Sequence, residues 1–445
     1  MRNVILSAKN IVTCCMLLFT TIMAYAQYPE NSPVAINGKL KVENGFLVNA
    51  CGYPTQLRGM STHGLAWNRN TYNESSIKSL VEDWNISLFR IAVYTHEWGG
   101  YCMENNYSKK WKTRDEYHVL IDNLIDLCKK YGIYCIIDWH VLNEGSGNPN
   151  NTLEDAKYFW DYMSKKHKGE DHVLYEICNE PNGSNVTWSV VKKYADEIIP
   201  FIRKNDPNTI IICGSPTWSQ DVDLAAQNPL QYENIMYTLH FYAGEHKDYL
   251  RNKANKAIGK GLALFVTEFG TTMANGSGGV FTAETEKWMQ WMDDNKISWA
   301  NWSFSDQNET SAALVSGSAN SSNWTNTTKS GTYIKNKLAE PYKEKFVACT
   351  DTTPYYEPKK GDFVEDIVND ESITIYPNPT TDGNFSIESP DEIQKVVIYN
   401  MIGEIVELFD KPNTGDYTTH KLQKGIYHVK IYGSKFITVK KLIKN

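Results

Sequence analysis

The chain has 445 residues, a net charge of -7 and an isoelectric point near 5.9. That length suits one large barrel with an appendage, or about two to three ordinary domains, and buries an ample core. The acidic balance and the lack of a basic stripe exclude a nucleic-acid or anionic-membrane binder. Its 13 Trp and 27 Tyr are flat rings with polar tips, which suit sugar faces and any core alike.

In chain order, the first segment is an address. Arg2 and Lys9 flank the start, Ile11 to Met23 is mostly apolar, and Ala24-Tyr25-Ala26 is an A-x-A cleavage signal. Residues 1–26 are therefore expected to be a signal peptide, with the mature chain starting at Gln27 and acting outside the cytoplasm. The apolar run is too short for a stop-transfer helix, and no later run is long enough to span a bilayer. Cys14 and Cys15 leave with the signal. The remaining Cys51, Cys102, Cys128, Cys135, Cys178, Cys213 and Cys349 are odd in number, so at least one stays free or pairs between chains. Cys135, Cys178 and Cys213 sit in apolar strand patterns and read as buried free thiols. At most one bridge is expected, with no partners assigned. No Cys-His cluster has zinc spacing.

Val34 to Pro54 reads as a short hairpin around an Asn-Gly turn. Strand and helix patterns then alternate. The strands are expected at Gln56–Met60, Leu88–Tyr94, Tyr134–His140, Val173–Glu180, Ile210–Gly214, Ile235–Tyr242, Leu264–Gly270 and Ser298–Phe304. The helices are expected at Ser75–Trp84, Arg114–Tyr131, Leu153–His167, Trp188–Asn205, Tyr249–Lys260 and Ala283–Asn295. This α/β alternation predicts a parallel sheet covered by helices, and eight strands close a (β/α)8 TIM barrel, here over residues 27–344. Residues 345–370 carry prolines, paired lysines and scattered acids and read as a linker. From Glu371 to Asn445 the texture changes to short strands and turns, predicting a small C-terminal all-β sandwich without chemistry of its own.

Polar and aromatic groups collect at the strand ends: His63, Arg90, Tyr94, His140, Asn179, Glu180, His240, Tyr242, Glu268 and Trp302. Barrels of this kind place their chemistry at the C-terminal ends of the strands. Two stretches stand out: V-L-Y-E-I-C-N-E-P, ending at Glu180 and Pro181, and L-F-V-T-E-F-G, containing Glu268. One Glu after an Asn is more often a solvated strand end. Two carboxyls at the same end of one sheet are what glycoside hydrolysis requires, one as proton donor and one as nucleophile or base.

These motifs, with L-R-G-M-S-T-H-G-L at Leu57 to Leu65, F-R-I-A-V-Y, I-I-D-W-H, T-W-S-Q-D-V-D, Y-T-L-H-F-Y-A-G and S-W-A-N-W-S-F, resemble glycoside hydrolase family 5, in particular its bacterial endo-β-1,4-glucanase (cellulase) branch, over Val34 to Ile334. The tail resembles the C-terminal secretion-sorting domain of Bacteroidetes proteins exported by the Por (type IX) system, carried by I-Y-P-N-P, G-I-Y-H-V-K and the basic ending.

The first resemblance implies a retaining mechanism with Glu180 as acid/base and Glu268 as nucleophile. It implies Arg90 and Tyr242 beside the nucleophile, His240 beside the acid/base, and Asn179 on the 2-hydroxyl of the reacting sugar. His63, Trp67, Tyr94, His140, Trp218, Trp302, Gln307 and Glu309 are expected to bind substrate, Trp302 as the floor of the reacting subsite. Relatives often carry a Lys where Gln307 stands, so contacts to distant glucose units are open. No metal or cofactor is implied. The expected partners are β-glucan polysaccharides and oligosaccharides and the secretion machinery, with the protein a monomer, secreted or at the cell surface. Mannan, xyloglucan or mixed-linkage glucan are alternative substrates for the same machinery. A non-catalytic carbohydrate-binding or adhesion protein is the alternative from another class, and the intact acid pair argues against it.

Overall fold

The computed structural model describes residues 28–97, 99–103, 114–142, 147–349, 373–389, 392–400, 405–410, 415–419, 421–433 and 437–445. The expected signal peptide and most of the expected linker lie outside these residues.

The hairpin forms at Lys41–Glu43 (β1) and Phe46–Val48 (β2), turning through Asn44 and Gly45, both at positive φ, as a two-residue Asn-Gly turn requires. Its expected first residues instead form a short helix, Pro33–Asn37, which Ser32 caps through its side chain. Proline at the start of the helix loses no bond, because that N–H would be unsatisfied anyway.

Eight parallel strands follow: Arg58–Ser61 (β3), Leu88–Tyr94 (β4), Tyr134–His140 (β5), Val173–Cys178 (β6), Ile211–Cys213 (β7), Ile235–Tyr242 (β8), Leu264–Gly270 (β9) and Trp299–Asn301 (β10). They close into a barrel in the order β10-β3-β4-β5-β6-β7-β8-β9. The expected fold class holds, and β4, β5, β8 and β9 have the expected bounds. Helices Glu74–Glu82, Arg114–Tyr131, Leu153–Lys166, Trp188–Asn205, Asp248–Gly259 and Thr282–Asp294 cover the outside. An eleventh-hour addition to the expected set is the helix Lys329–Ala339, whose buried Ile334 and Leu338 pack into the same outer core.

Alternation along each strand divides the side chains. On β4, Phe89, Ile91 and Val93 pack outward under the helices, while Leu88, Ala92 and Tyr94 pack in inner clusters. A lower inner layer, including Leu57, Leu88, Ile136, Leu174, Ile212, Met236 and Phe265, is plugged by Tyr28, Val34, Leu40 and Leu47 from the N-terminal segment. The barrel floor is therefore packed, and only its C-terminal mouth is open for chemistry.

A bridge joins Cys51 to Cys349 across 298 residues, and Asn49 Nδ2 donates to the Val347 carbonyl at 2.7 Å. This answers the pairing question: the chain ends around the barrel are stapled together, and Phe346 packs on the inner core. The barrel unit thus reaches Cys349, past the expected boundary at residue 344. Cys128, Cys135, Cys178 and Cys213 are buried thiols outside the disulfide, and Cys102, also outside it, is half-buried.

The C-terminal unit has two antiparallel sheets, of three and four strands, drawn from Thr374–Tyr376 (β11), Asn384–Glu388 (β12), Ile393–Tyr399 (β13), Ile405–Asp410 (β14), Asp416–Thr418 (β15), Gly425–Gly433 (β16) and Ile437–Lys444 (β17). Phe385, Ile387, Val396, Ile398, Tyr417, Val429, Ile431 and Leu442 form its own core. Among the described residues no helix is long and apolar enough to cross a membrane.

Candidate active site

A cleft of about 590 Å³ opens at the C-terminal mouth of the barrel. Glu180, His240, Tyr242, Glu268, His140, His63, Tyr94, Trp302, Trp218 and Glu309 all line it. Beneath it lies Arg90 on β4, fully buried. A lone buried cation is costly, so its five N–H groups need acceptors. Nε donates to Glu176 at 2.7 Å, Nη1 to Glu268 at 3.0 Å and Ser61 at 3.3 Å, and Nη2 to Asn179 at 2.6 Å, while Asp138 forms an ion pair with Nη2 at 2.9 Å. Burial works against its charge, but the three carboxyls reverse that and push its pKa up. Arg90 is therefore a fixed positive post that locates strands β4, β5, β6 and β9 around one point.

Glu268 accepts from Tyr242 Oη at 2.7 Å on one oxygen and from Arg90 on the other. Burial raises the Tyr242 pKa, as does the charge of Glu268, so the phenol stays a donor. Both oxygens of Glu268 are thus held, one of them by a guanidinium. Glu180 is different. Its Oε1 lies 2.8 Å from His240 Nδ1, and its side chain is 12 % exposed. Burial pushes its pKa up to about 8, with Arg90 opposing and Asp138 and Glu176 adding to the rise. Burial lowers His240 to about 4 against the pull of Glu268, so this pair is a neutral imidazole facing a carboxylic acid rather than an ion pair at neutral pH. One oxygen of Glu180, one of Glu268 and a ring nitrogen of His240 lie within 4.8 Å of one another.

Local backbone explains how two carboxyls reach the same space. Between β8 and β9, Thr238 pairs with Phe265 but His240 pairs with Glu268; between β10 and β9, Trp299 pairs with Val266 but Asn301 with Phe269. β9 thus carries one extra residue against both neighbours, a bulge, and bulges re-aim side chains. As a result Thr267 and Glu268, though consecutive, both bond to groups inside the barrel.

The other expected residues divide by position. Asn179 is fully buried below the cleft. Its Oδ1 accepts from Arg90, and its Nδ2 lies 3.2 Å from the Val141 carbonyl and 3.3 Å from His140 Nε2. His140 in turn gives its Nδ1 proton to Asp138 at 2.6 Å, burial keeping the ring neutral. Asp138 is itself raised to about 7 by burial against Arg90. Aromatic rings build one wall: His140 stacks on Trp302 with centroids 5.4 Å apart, and His63 lies 5.0 Å from Trp302 and 5.6 Å from Trp67. His63 is 3.8 Å from Glu309, but burial and His140 lower its pKa to about 4, so that contact is not an ion pair at neutral pH.

Trp67 and Gln307 line a separate polar cavity next to the cleft, where Gln307 Nε2 donates to Asn68 Oδ1 at 2.6 Å. Trp218 also lines the cleft, 46 % exposed, on a left-handed turn at Thr217, Trp218 and Ser219. The Ser219 hydroxyl ties that turn to the Asn179 carbonyl at 2.5 Å.

Sequence reasoning did not single out Asp138, Glu176, Thr267 or Ser61 as part of the site. A signal existed for the two acids: a charge inside an otherwise apolar strand must find a buried partner.

An eight-stranded parallel barrel with two carboxyls converging at its C-terminal mouth, one raised by burial and facing His240 and one held by Arg90 and Tyr242, defines a glycosidase of the barrel class. Residues 48–308 match the model of the cellulase family, glycosyl hydrolase family 5. The chain belongs to that family. An endoglucanase of Clostridium saccharobutylicum is 45 % identical over 330 residues, 74 % of this chain and 71 % of that one. A solved structure called cellulase Cel5C_n is 62 % identical, with TM-score 0.70 over 72 % of this chain and 98 % of that one. The catalytic domain of Thermobifida fusca endoglucanase Cel5A is 34 % identical, with TM-score 0.64 over 69 % of this chain and 99 % of that one. Residues 374–445 match the C-terminal sorting domain of a secretion system. The protein is thus exported, either released or held at the cell surface.

Proposed function

We propose that the protein is a retaining endo-β-1,4-glucanase that cuts internal bonds of cellulose-type β-glucans by double displacement. The observation that carries the reading is the close approach of Glu180 and Glu268. Retaining pairs stand about 5–5.5 Å apart and inverting pairs about 6.5–9.5 Å, because only the latter must fit a water between carboxylate and sugar. In the first step Glu268 attacks the anomeric carbon while Glu180 gives its proton to the departing glycosidic oxygen. In the second, Glu180 takes a proton from water, whose oxygen displaces Glu268. Arg90 and Tyr242 hold the nucleophile, and His240 holds the acid. Trp302 offers its face to the reacting sugar, with His140 and Tyr94 beside it. His63, Trp67, Glu309 and Gln307 serve the non-reducing side, and Trp218 the leaving-group side. Asn179 reads more readily as a brace for Arg90 and His140 whose remaining hydrogen-bonding capacity reaches the 2-hydroxyl. Residues 1–26 serve as the signal, the barrel as the catalytic unit and residues 371–445 as the address read by type IX machinery. The names of the relatives support β-1,4-glucan over mannan or xyloglucan.

The test is stereochemical. Proton NMR of a cello-oligosaccharide digest is expected to show the β anomer released first, with the α anomer appearing only by mutarotation. Initial α product rules out double displacement. Rates on carboxymethylcellulose, barley glucan, mannan and xyloglucan are expected to rank the first two ahead.

A second measurement addresses the tail. Deletion of residues 371–445 is expected to stop appearance of the enzyme outside the cell while the purified barrel keeps its full rate. The C-terminal unit has its own core, and among the described residues it lends none to the cleft. An inactive but folded truncation contradicts this division.

A further inference from the structure

The bulge in β9 buries one hydroxyl, Thr267, that the proposed chemistry leaves unused. Its Oγ1 lies 2.6 Å from Glu176 Oε1 and 2.9 Å from His240 Nε2, and it also contacts the Thr238 hydroxyl. A hydroxyl has one proton to give and two lone pairs to accept with. Burial and the charge of Asp138 raise the Glu176 pKa while Arg90 opposes them; its other oxygen accepts from Arg90, and as the carboxylate it is an acceptor only. The Thr267 proton therefore goes to Glu176, and its lone pairs face Thr238 and His240. The neutral ring of His240 has one proton, which must sit on Nε2 to reach Thr267. Nδ1 is then a bare lone pair aimed at Glu180, and only a protonated Glu180 completes that contact.

We propose that Thr267 is a positioning residue that sets the direction of a hydrogen-bond chain running from Glu180 through His240 and Thr267 to Glu176, and so keeps the proton on the acid/base carboxyl. The proposal rests on the reading of Glu180 as the proton donor and supplies what holds the proton there. Both chemical steps use it. Before the first, the lone pair of His240 accepts from the acid. Once Glu180 has delivered its proton to the glycosidic oxygen, its carboxylate faces that lone pair, which makes it a stronger base toward water in the second step. Reversing the chain would put the ring proton on Nδ1, favour the Glu180 anion and take from Glu176 its second donor.

The charged and titratable groups facing Glu180 and His240 are Arg90 on β4, Asp138 and His140 on β5, Glu176 on β6, Tyr242 on β8, Glu268 on β9, and Glu245 and His246 after β8. A Thr267 substitution leaves all of them in place, so a changed pH profile reports the chain direction.

Thr267→Val removes the relay and Thr267→Ser keeps it. In the valine variant the alkaline limb of kcat/KM is expected to move down by about one pH unit or more, because a reversed His240 favours the Glu180 anion. At neutral pH its loss on a cello-oligosaccharide is expected to exceed its loss on dinitrophenyl cellobioside, whose leaving group departs without a proton, by about tenfold. Thr267→Ser is expected to restore both. A wild-type limb in the valine variant, or equal losses on the two substrates, overturns the proposal. NMR of the unaltered enzyme with 15N-labelled histidine tests it even if the valine variant does not fold: His240 is expected protonated on Nε2, and a proton on Nδ1 overturns the relay. If Glu180→Ala shows the leaving-group split and Thr267→Val does not, the relay alone fails. If Glu180→Ala shows no split, the acid assignment fails and the relay with it.

Discussion

Glu268→Ala is expected to reduce turnover of soluble cellulose by on the order of ten-thousand-fold or more, with oligosaccharide binding kept. The loss is large because no other group can take the role. Glu268 is the carboxylate that Arg90 and Tyr242 both hold, at 3.0 and 2.7 Å, so on the proposed assignment the variant loses the attacking group while both donors remain. Folding should survive, since Arg90 keeps Glu176, Asp138, Asn179 and Ser61. The check is sugar release with calorimetric binding on the same variant. A second check is chemical: azide added with an activated aryl cellobioside should enter the space left by the carboxylate and yield the α-glycosyl azide. A variant with near-native rate, or a β-azide, would remove Glu268 from the nucleophile's role.

The second large effect concerns Glu180. Its replacement by Ala is expected to cost about 10²- to 10⁴-fold on cello-oligosaccharides, the range for general acid catalysis, and much less on dinitrophenyl cellobioside. Azide should now give the β-glycosyl azide, because it attacks the glycosyl-enzyme from the face Glu180 occupied. The native pH profile carries the same information. With the acid raised to about 8 by burial, kcat/KM is expected to hold through neutrality and fall about tenfold per unit above that value as the proton is lost. In Glu180→Ala that limb should vanish. An alkaline limb unchanged in the variant would assign it to another group.

The fold was legible because a strand buried on both faces is a short apolar run, and β4, β5, β8 and β9 are buried along their whole length. Bounds failed where burial outran the ladder: Leu57, Ile210 and Phe304 are buried but lie outside β3, β7 and β10. Pro33–Asn37 was hidden inside a hairpin pattern, since five residues are too few for a helical period to register. The Cys51–Cys349 bridge had no local trace, because pairing depends on how the chain ends meet.

The sequence by itself determined that two carboxyls, Glu180 and Glu268, stand toward the same end of one parallel barrel on separate strands, since apolar strand patterns, helix periods and charged strand tips are local properties of the chain. Only the tertiary structure decided how the two carboxyls reach one space and which side chains hold each of them. Strict alternation from Phe265 would send Thr267 inward and Glu268 outward. The extra residue in β9, visible only in its register against β8 and β10, brings both inside. Burial then raises Glu180, and the hydrogen bonds and ion pairs of one buried Arg90 fix the geometry, because desolvation and hydrogen bonding act only once distant segments share the same space.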